Sequence, residues 1–418
     1  MTSIAKKLAP IKPGTLFAGL DLGLDCITAV VLNADGQRVD RFKTEQSRDG
    51  YEYLSGRLRR VVQQHAASGV WVGMEPTNYY WKQVGTYLNQ QGLPFRLVNP
   101  YTVSRHRDGD QLDTAKHDWR DGQMIADLLR TGKFTETQLR SGAYAELQIG
   151  YATYWRLRYE HGRHLTRLTN SVRQVFPELQ QVLKDVTGQT AQAVLRSAPA
   201  AAWIRALPCS DFIGRVRQMA HGQRLAISRL RRLHVLAQDS IGLSDGLDSL
   251  CFDVQTSLDS LLLVEQQTQD LLVRLLQHFR ALPEAPYVCS IQGLSETFAL
   301  GLLAEIGDLT VYRTGKSLIK LAGTQPTPNA SGRRRRAKTP FSKHGRARLR
   351  WVLYWATLRL LRHNDAIAYH YQRLCTRPQQ PLTKMEALGA CMNKLLWYVW
   401  VTGHHQRPYD PNLWQTLR

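Results

Sequence analysis

Four carboxylates and one serine are the residues of this chain whose types and spacing could do chemistry together. Asp21 closes the apolar run Leu16–Leu22, and Glu75 directly follows the run Val70–Met74. Both runs read as strands, and ends of neighbouring strands lie side by side in a twisted sheet. Asp118 and Asp121 stand three apart, so on a helix they share one face. Clustered carboxylates repel one another unless a cation cancels the charge. Hard oxygen ligands suit Mg2+ or Mn2+, and such ions can stabilise the attacking and leaving oxygens of a phosphodiester. Singly, each residue has an ordinary reading: a strand-end turn cap, or an acidic first helical turn. Ser331 lies in PTPNASGRRRR. The arginines there would hold a phosphate beside the hydroxyl and stabilise charge in phosphoryl transfer. A serine is a poor nucleophile unaided, and no base adjoins it in the sequence. From spacing alone, Ser331 reads more readily as an ordinary loop serine before a glycine than as a nucleophile.

The elements that must position these groups follow from periodicity. Leu16–Leu22, Ile27–Leu32 and Arg38–Phe42 read as three antiparallel strands, the last two joined by the turn Asn33-Ala34-Asp35-Gly36. A helix fits 51–66, a strand Val70–Met74, a helix 78–91 and a strand Phe95–Val98. That order is expected of an RNase H-like α/β layer. Residues 117–132 and 144–176 read as helices, and 185–282 as helical throughout. Leu258, Leu261, Leu262, Leu272, Leu275, Leu276 and Phe279 form a seam interrupted by Glu265 and Gln269. It fits one helix of a helical domain or a coiled-coil-like dimer arm. The tail, 380–418, with Trp397, Tyr398 and Trp400, is expected to pack as a final helix. No internal repeat is present.

Charge narrows the partner. The chain has 418 residues, room for two or three domains, and a formal net charge of +21. Such a balance points to polyanions. From Leu309 to Asn364 there are fourteen Lys or Arg and no acid, the footprint of a polyanion site rather than of a mixed-sign surface. Arg156, Arg163 and Arg167 share one helical face, with Arg158 and Arg173 nearby. This stripe is read as phosphate-contacting in preference to a solvated face. No run reaches the ~20 apolar residues of a membrane span, and the N-terminus lacks a signal-peptide core. Six scattered cysteines with no CxxC pair argue against zinc and disulfides, and a reducing cytoplasm is expected.

The motifs GLDLG (19–23), VGMEPTNYYW (72–81), LVNP (97–100) and AKHDWRDGQMIADLL (115–129) resemble the N-terminal domain of the DEDD insertion-sequence transposases, family one-hundred-and-ten, relatives of the Piv/MooV DNA invertases. SIQGLSETFALGLLAEIGD and LIKLAGTQPTPNASGRRRRAKTPFSKHGRARLRWVLYWA are similar to that family's C-terminal transposase module. Glu75 is followed by Pro-Thr-Asn rather than Ala-Thr-Gly, Asp121 by Gly122 where Ala is common, and Gln292-Gly293 stands for Pro-Gly.

The resemblance implies a RuvC-like DEDD domain (1–180), a helical linker or coiled-coil region (181–284), and a mainly α-helical transposase domain with a nucleophilic serine (285–418). It makes Asp21, Glu75, Asp118, Asp121 and Ser331 catalytic, with Mg2+ or Mn2+ on the carboxylates. It implies a homo-oligomer in which one protomer's serine meets another's carboxylates. It also implies donor and target DNA as substrates, and a structured noncoding RNA as guide. Arg156, Arg163, Arg167, Arg333, Arg334, Arg335, Arg336, Lys338, Lys343, Arg346 and Arg350 are the expected nucleic-acid contacts, with His344 a weak candidate base. Three other readings stand beside this one. The first is a Holliday-junction-type nuclease using water, and the second an RNA-binding protein on a degenerate nuclease fold. The third is an actin-like ATPase, whose phosphate loop GLDLG also resembles, although this chain has neither the second phosphate loop nor an adenosine motif.

Overall fold

The computed structural model describes residues 3–76, 79–100, 102–103, 118–135, 139–220, 222, 224–327, 330–331, 334–335 and 340–414. The chain divides into two compact units, Met1–Arg140 and Ser141–Arg418.

The first unit is built on a mixed sheet. Its strands are β1 (Thr15–Leu22), β2 (Cys26–Leu32), β3 (Arg38–Glu45), β4 (Gly69–Met74), β5 (Phe95–Val98) and β6 (Phe134–Thr135), in spatial order β3-β2-β1-β4-β5-β6. β1, β4 and β5 run parallel, and β2, β3 and β6 pair antiparallel to their neighbours. Asn33 accepts from the amides of Asp35 and Gln37 at 3.0 and 2.8 Å, which closes the expected β2–β3 turn. β3 extends to Glu45, three residues past its expected end, because its polar residues need only β2 as partner. Alternation divides β1 between two faces. Leu16, Ala18, Leu20 and Leu22 pack with Leu54, Leu58, Val84 and Leu88 of α2 (Arg48–Gln64) and α3 (Tyr80–Gln90). Phe17 faces the other way, against Leu129 of α4 (Asp118–Arg130). A short α1 (Ser3–Leu8) precedes the sheet.

Among its described residues the second unit is helical apart from one small ribbon. Its long elements are α5 (Gly142–Val175) and α6 (Leu247–Arg280), each of 34 residues, or about 50 Å. They run antiparallel. Gly150 meets Leu275 near one end, and Ser171 hydrogen-bonds Asp253 near the other. Leu258, Leu261, Leu275 and Phe279 of the expected seam are buried, and the seam packs against α5 of the same chain. Five shorter helices between 179 and 238 build one core with the far halves of α5 and α6. The near halves join α7 (Glu296–Ile306), α8 (Gly315–Ala322), α9 (Ala347–His363), α10 (Asp365–Thr376) and α11 (Lys384–His404) in a second core. α11 is the expected final helix. Thr383 and Glu386 close a capping box at its start. Among the described residues no helix is long and apolar enough to cross a membrane.

On α10, burial and the nearby charges of Lys394 and Arg373 push the His370 imidazole down to about 4. An unfolded chain would take up that proton near pH 6.5. The associated stability is therefore complete above that value and lost as the pH falls toward 4. Acidification from pH 7 to 5 is expected to cost about 1–2 kcal/mol through this group. Urea melts of His370→Gln should show a correspondingly flatter pH dependence, and an unchanged slope would refute the assignment.

Candidate active site

The carboxylates of the first unit are positioned by a close backbone approach. A Cβ on Gly19 would lie 2.0 Å from the carbonyl oxygen of Gly122 and 2.4 Å from the amide nitrogen of Ala126. A side chain at position 19 would hold α4 off the sheet, and only glycine there lets the helix lie directly on it. The helix runs antiparallel to β1: Gly122 covers Gly19, and Leu129 packs against Phe17. The start of α4, with Asp118 and Asp121, thus falls toward the strand end that carries Asp21.

Asp21 shares the α4-facing side of β1 with Phe17 and Gly19. β1 and β4 pair in parallel up to Leu20 with Met74, so Asp21 and Glu75 are the next positions in register, on neighbouring strand paths about 5 Å apart. A Cβ on Gly73 of β4 would meet Ile125 and Leu129 of α4, so alternation sends position 75 to the same side. Asp121 is 6% exposed, while Asp21 and Glu75 are half-buried. Asp118 opens α4, and its side chain lies outside the described residues. Among the described residues no three His, Cys, Asp or Glu side chains stand close enough to hold a metal ion. Asp21, Glu75 and Asp121 are brought to one edge of the sheet without forming a three-ligand cage by themselves. Their donor chemistry, carboxylate oxygen alone, fits a hard divalent cation.

Beside this edge lies a basic feature that the sequence reading did not single out. Arg41 and Lys43 of β3 both stand over the Trp119 ring, 5.3 Å from its centroid. Residue 119 directly follows Asp118. The signal available in the sequence was the period-two placement of Arg41 and Lys43 on an edge strand.

Gly19 and Gly122 make unequal demands. Gly19→Ala is expected to cost roughly 2 kcal/mol or more and to abolish strand cleavage by displacing the start of α4. A Cβ on Gly122 would meet Val30 Cγ2 at 3.2 Å, Gly19 O at 3.3 Å and Thr28 O at 3.5 Å, and alanine favours the helix by about 1 kcal/mol, so Gly122→Ala should be near neutral. Chemical denaturation and a cleavage assay on both variants check this, and equal effects would sink the argument.

Ser331 belongs to the second unit. β7 (Ala330–Ser331) pairs antiparallel with β8 (Arg334–Arg335), Ser331 opposite Arg334. Gly332, Arg333, Arg336 and Lys338 lie outside the described residues, as do the side chains of Ser331, Arg334 and Arg335. The ribbon rises from a narrow neck. The amides of Ser342 and Lys343 donate to Gln325 O at 2.9 Å and Gly323 O at 3.0 Å, and Thr327 N donates to Pro340 O at 3.0 Å. A Cβ on Gly345 would sit 2.4 Å from Gly323 N, and Gly323 itself has φ +66°. Thr324, fully buried, is fixed by Asn393 of α11.

The expected phosphate contacts fall in different settings. Arg156, Arg163 and Arg167 are exposed along α5, and Lys343 is exposed on the neck. The Arg346 guanidinium donates to Glu305 O. Arg350 Nη1 donates to Ala322 O at 2.9 Å and Gly345 O at 3.0 Å. Each has further donors for a phosphate, but in this structure both help hold the neck. Arg348, not among the expected contacts, pairs with buried Glu305 at 2.8 Å.

A sheet edge lined with carboxylates, with a basic helical unit bearing a glycine-necked ribbon, is the equipment of an enzyme that works on DNA. Residues 18–177 match a family described as transposase, the DEDD type of IS110. Residues 285–372 match the transposase family IS116/IS110/IS902. The two matches stand in chain order and together cover more than half of the chain. The protein belongs to the IS110-family DEDD transposases and acts on DNA as a transposase or recombinase. Comparison with curated proteins found no match.

Proposed function

We propose that this transposase exchanges DNA strands through a covalent phosphoserine at Ser331, directed by a structured noncoding RNA. The observation that carries the carboxylate half is the Gly19–Gly122 approach, which lays the start of α4 at the Asp21 end of β1. The sheet order β3-β2-β1-β4-β5, with helices on both faces, supports an RNase H/RuvC-like reading of the first unit. Asp21, Glu75, Asp118 and Asp121 would hold Mg2+ or Mn2+, which when bound neutralises phosphate charge and steadies the attacking and leaving oxygens.

Ser331 Oγ attacks a DNA phosphorus. An Oγ–P bond forms, the ester bond to one DNA oxygen breaks, the serine loses its proton and the leaving oxygen gains one. A hydroxyl of another DNA end then attacks the phosphoserine and releases the serine, so the number of phosphodiesters is conserved without ATP. Supporting this, the Ser331 backbone pairs with that of Arg334, and the charge of the arginines would favour the phosphate. Arg41 and Lys43 would contact phosphates flanking the carboxylates. The serine and the carboxylates are assigned to separate units, and the meeting is assigned across protomers of a homo-oligomer.

The test is to express the protein beside its native flanking DNA and sequence the nucleic acid that copurifies. One defined noncoding RNA is the expected result. Random host RNA would overturn the guide assignment and leave charge as the only basis for RNA binding.

A further inference from the structure

Trp203, Trp397 and Trp400 of the second unit pack against its cores, whereas Trp155, Trp351 and Trp355 meet at the surface. Trp351 and Trp355 stand one turn apart on α9 and are 39% and 46% exposed. Trp351 meets Trp155 of α5 edge to face at 4.4 Å between centroids, and Trp355 lies 6.2 Å from Trp351. This contact joins the outer faces of two helices into one surface. Large exposed rings are costly to leave in water and mark binding sites when clustered.

Charge surrounds the rings. Arg359 and Arg362 continue the exposed face of α9, inside the acid-free window. On α5 the next turn presents Arg158 and Tyr159, the latter 65% exposed. Gly162 follows and leaves an open notch in which a Cβ would touch nothing. Between Leu147 and Pro177 the only acid is Glu160, which pairs with Arg163. Protein partners that bury tryptophan do not call for so one-signed a border. Rings interleaved with arginine suit a strand whose bases are free to stack and whose phosphates need neutralising. Duplex bases offer no such faces.

We propose that Trp155, Trp351 and Trp355, continued by Tyr159 and flanked by Arg158, Arg359 and Arg362, form a stacking platform for an unpaired stretch of RNA. The partner rests on the RNA-guided reading above; the platform itself rests on exposed rings and one-signed charge. It shares no residue with the carboxylate set or with the Ser331 ribbon. Its role is to seat a single-stranded segment of the RNA, leaving duplex DNA to other surfaces.

The test uses purified full-length protein, an oligo(U) RNA of about 20 nucleotides, an oligo(dT) of equal length and a DNA duplex, with binding read by fluorescence anisotropy. Oligo(U) should quench the intrinsic tryptophan fluorescence. The double variant Trp351→Ala/Trp355→Ala should bind oligo(U) about tenfold or more weakly and duplex DNA within about twofold. Trp351→Phe/Trp355→Phe keeps two rings and should recover most of the loss, with circular dichroism confirming the fold of each variant. Unchanged oligo(U) affinity in the folded alanine variant overturns the proposal. So does equal weakening toward duplex, or a phenylalanine variant no better than alanine. Oligo(dT) bound more tightly than oligo(U) overturns the assignment to RNA. Failure of the serine reading shows separately, as an absent protein–DNA adduct in the wild type with these binding results intact.

Discussion

Ser331→Ala is expected to eliminate both the covalent protein–DNA adduct and strand exchange while leaving DNA binding within a few-fold of wild type. The change removes one oxygen. It takes away the only atom proposed to bond phosphorus, and loss of a nucleophile lowers rate by three or more powers of ten. Binding should persist because phosphate affinity comes from many cationic side chains, which the substitution leaves in place. The readout is denaturing electrophoresis of protein with labelled DNA carrying the element's ends. Wild type should show a shifted, protease-sensitive band and the variant none. The nuclease reading, with water as nucleophile, makes the opposite forecast: cleavage survives Ser331→Ala and no adduct forms with either protein. Ser342→Ala is the matched control. Ser342 lies on the neck, where its hydroxyl reaches Gly323 O at 3.3 Å, and its loss should leave the adduct intact. An adduct that persists without Ser331 would move the nucleophile elsewhere.

The sheet was legible in the sequence because alternation and turn chemistry coincide there. Phe95–Val98 was found at its observed bounds, and β1, β2 and β4 to within one residue. β6, two residues long, offers no period to detect. Asp21 and Glu75 could be read as strand-end carboxylates, since both follow from register. What brings α4 to them could not. Gly122 looked like a departure from the family's usual alanine, and its fit against Gly19 belongs to a contact about a hundred residues apart in sequence. The cationic window shows the same limit. Composition located it, but only coordinates separate Arg346 and Arg350, which bond main-chain carbonyls, from exposed Lys343. Trp351 and Trp355 carried no sequence signal of their own, because a tryptophan on an amphipathic helix is ordinarily core.

Asp21→Asn is the complementary expectation, and it separates metal binding from chemistry. If Asp21, Glu75, Asp118 and Asp121 share a cation, the metal-free protein holds like charges together at the sheet edge, and Mg2+ should stabilise it by mass action. At about ten times Kd the gain is roughly 1.4 kcal/mol, visible as a rise in Tm with added Mg2+. Asp21→Asn keeps the shape and removes a charge. Without Mg2+ the variant should be as stable as wild type or slightly more so, because a repulsion is relieved. With Mg2+ its Tm should rise far less, and adduct formation should fall about a thousandfold or more. Asp121→Asn should behave alike in both respects, though its greater burial makes the amide harder to accommodate. Gly19→Ala, by contrast, lowers Tm with or without the ion, since it displaces a helix rather than a ligand. A Tm response to Mg2+ identical in wild type and Asp21→Asn would remove Asp21 from the metal site, whatever happened to activity. Because that readout needs no DNA and no serine, it tests the carboxylates even if the phosphoserine proves wrong.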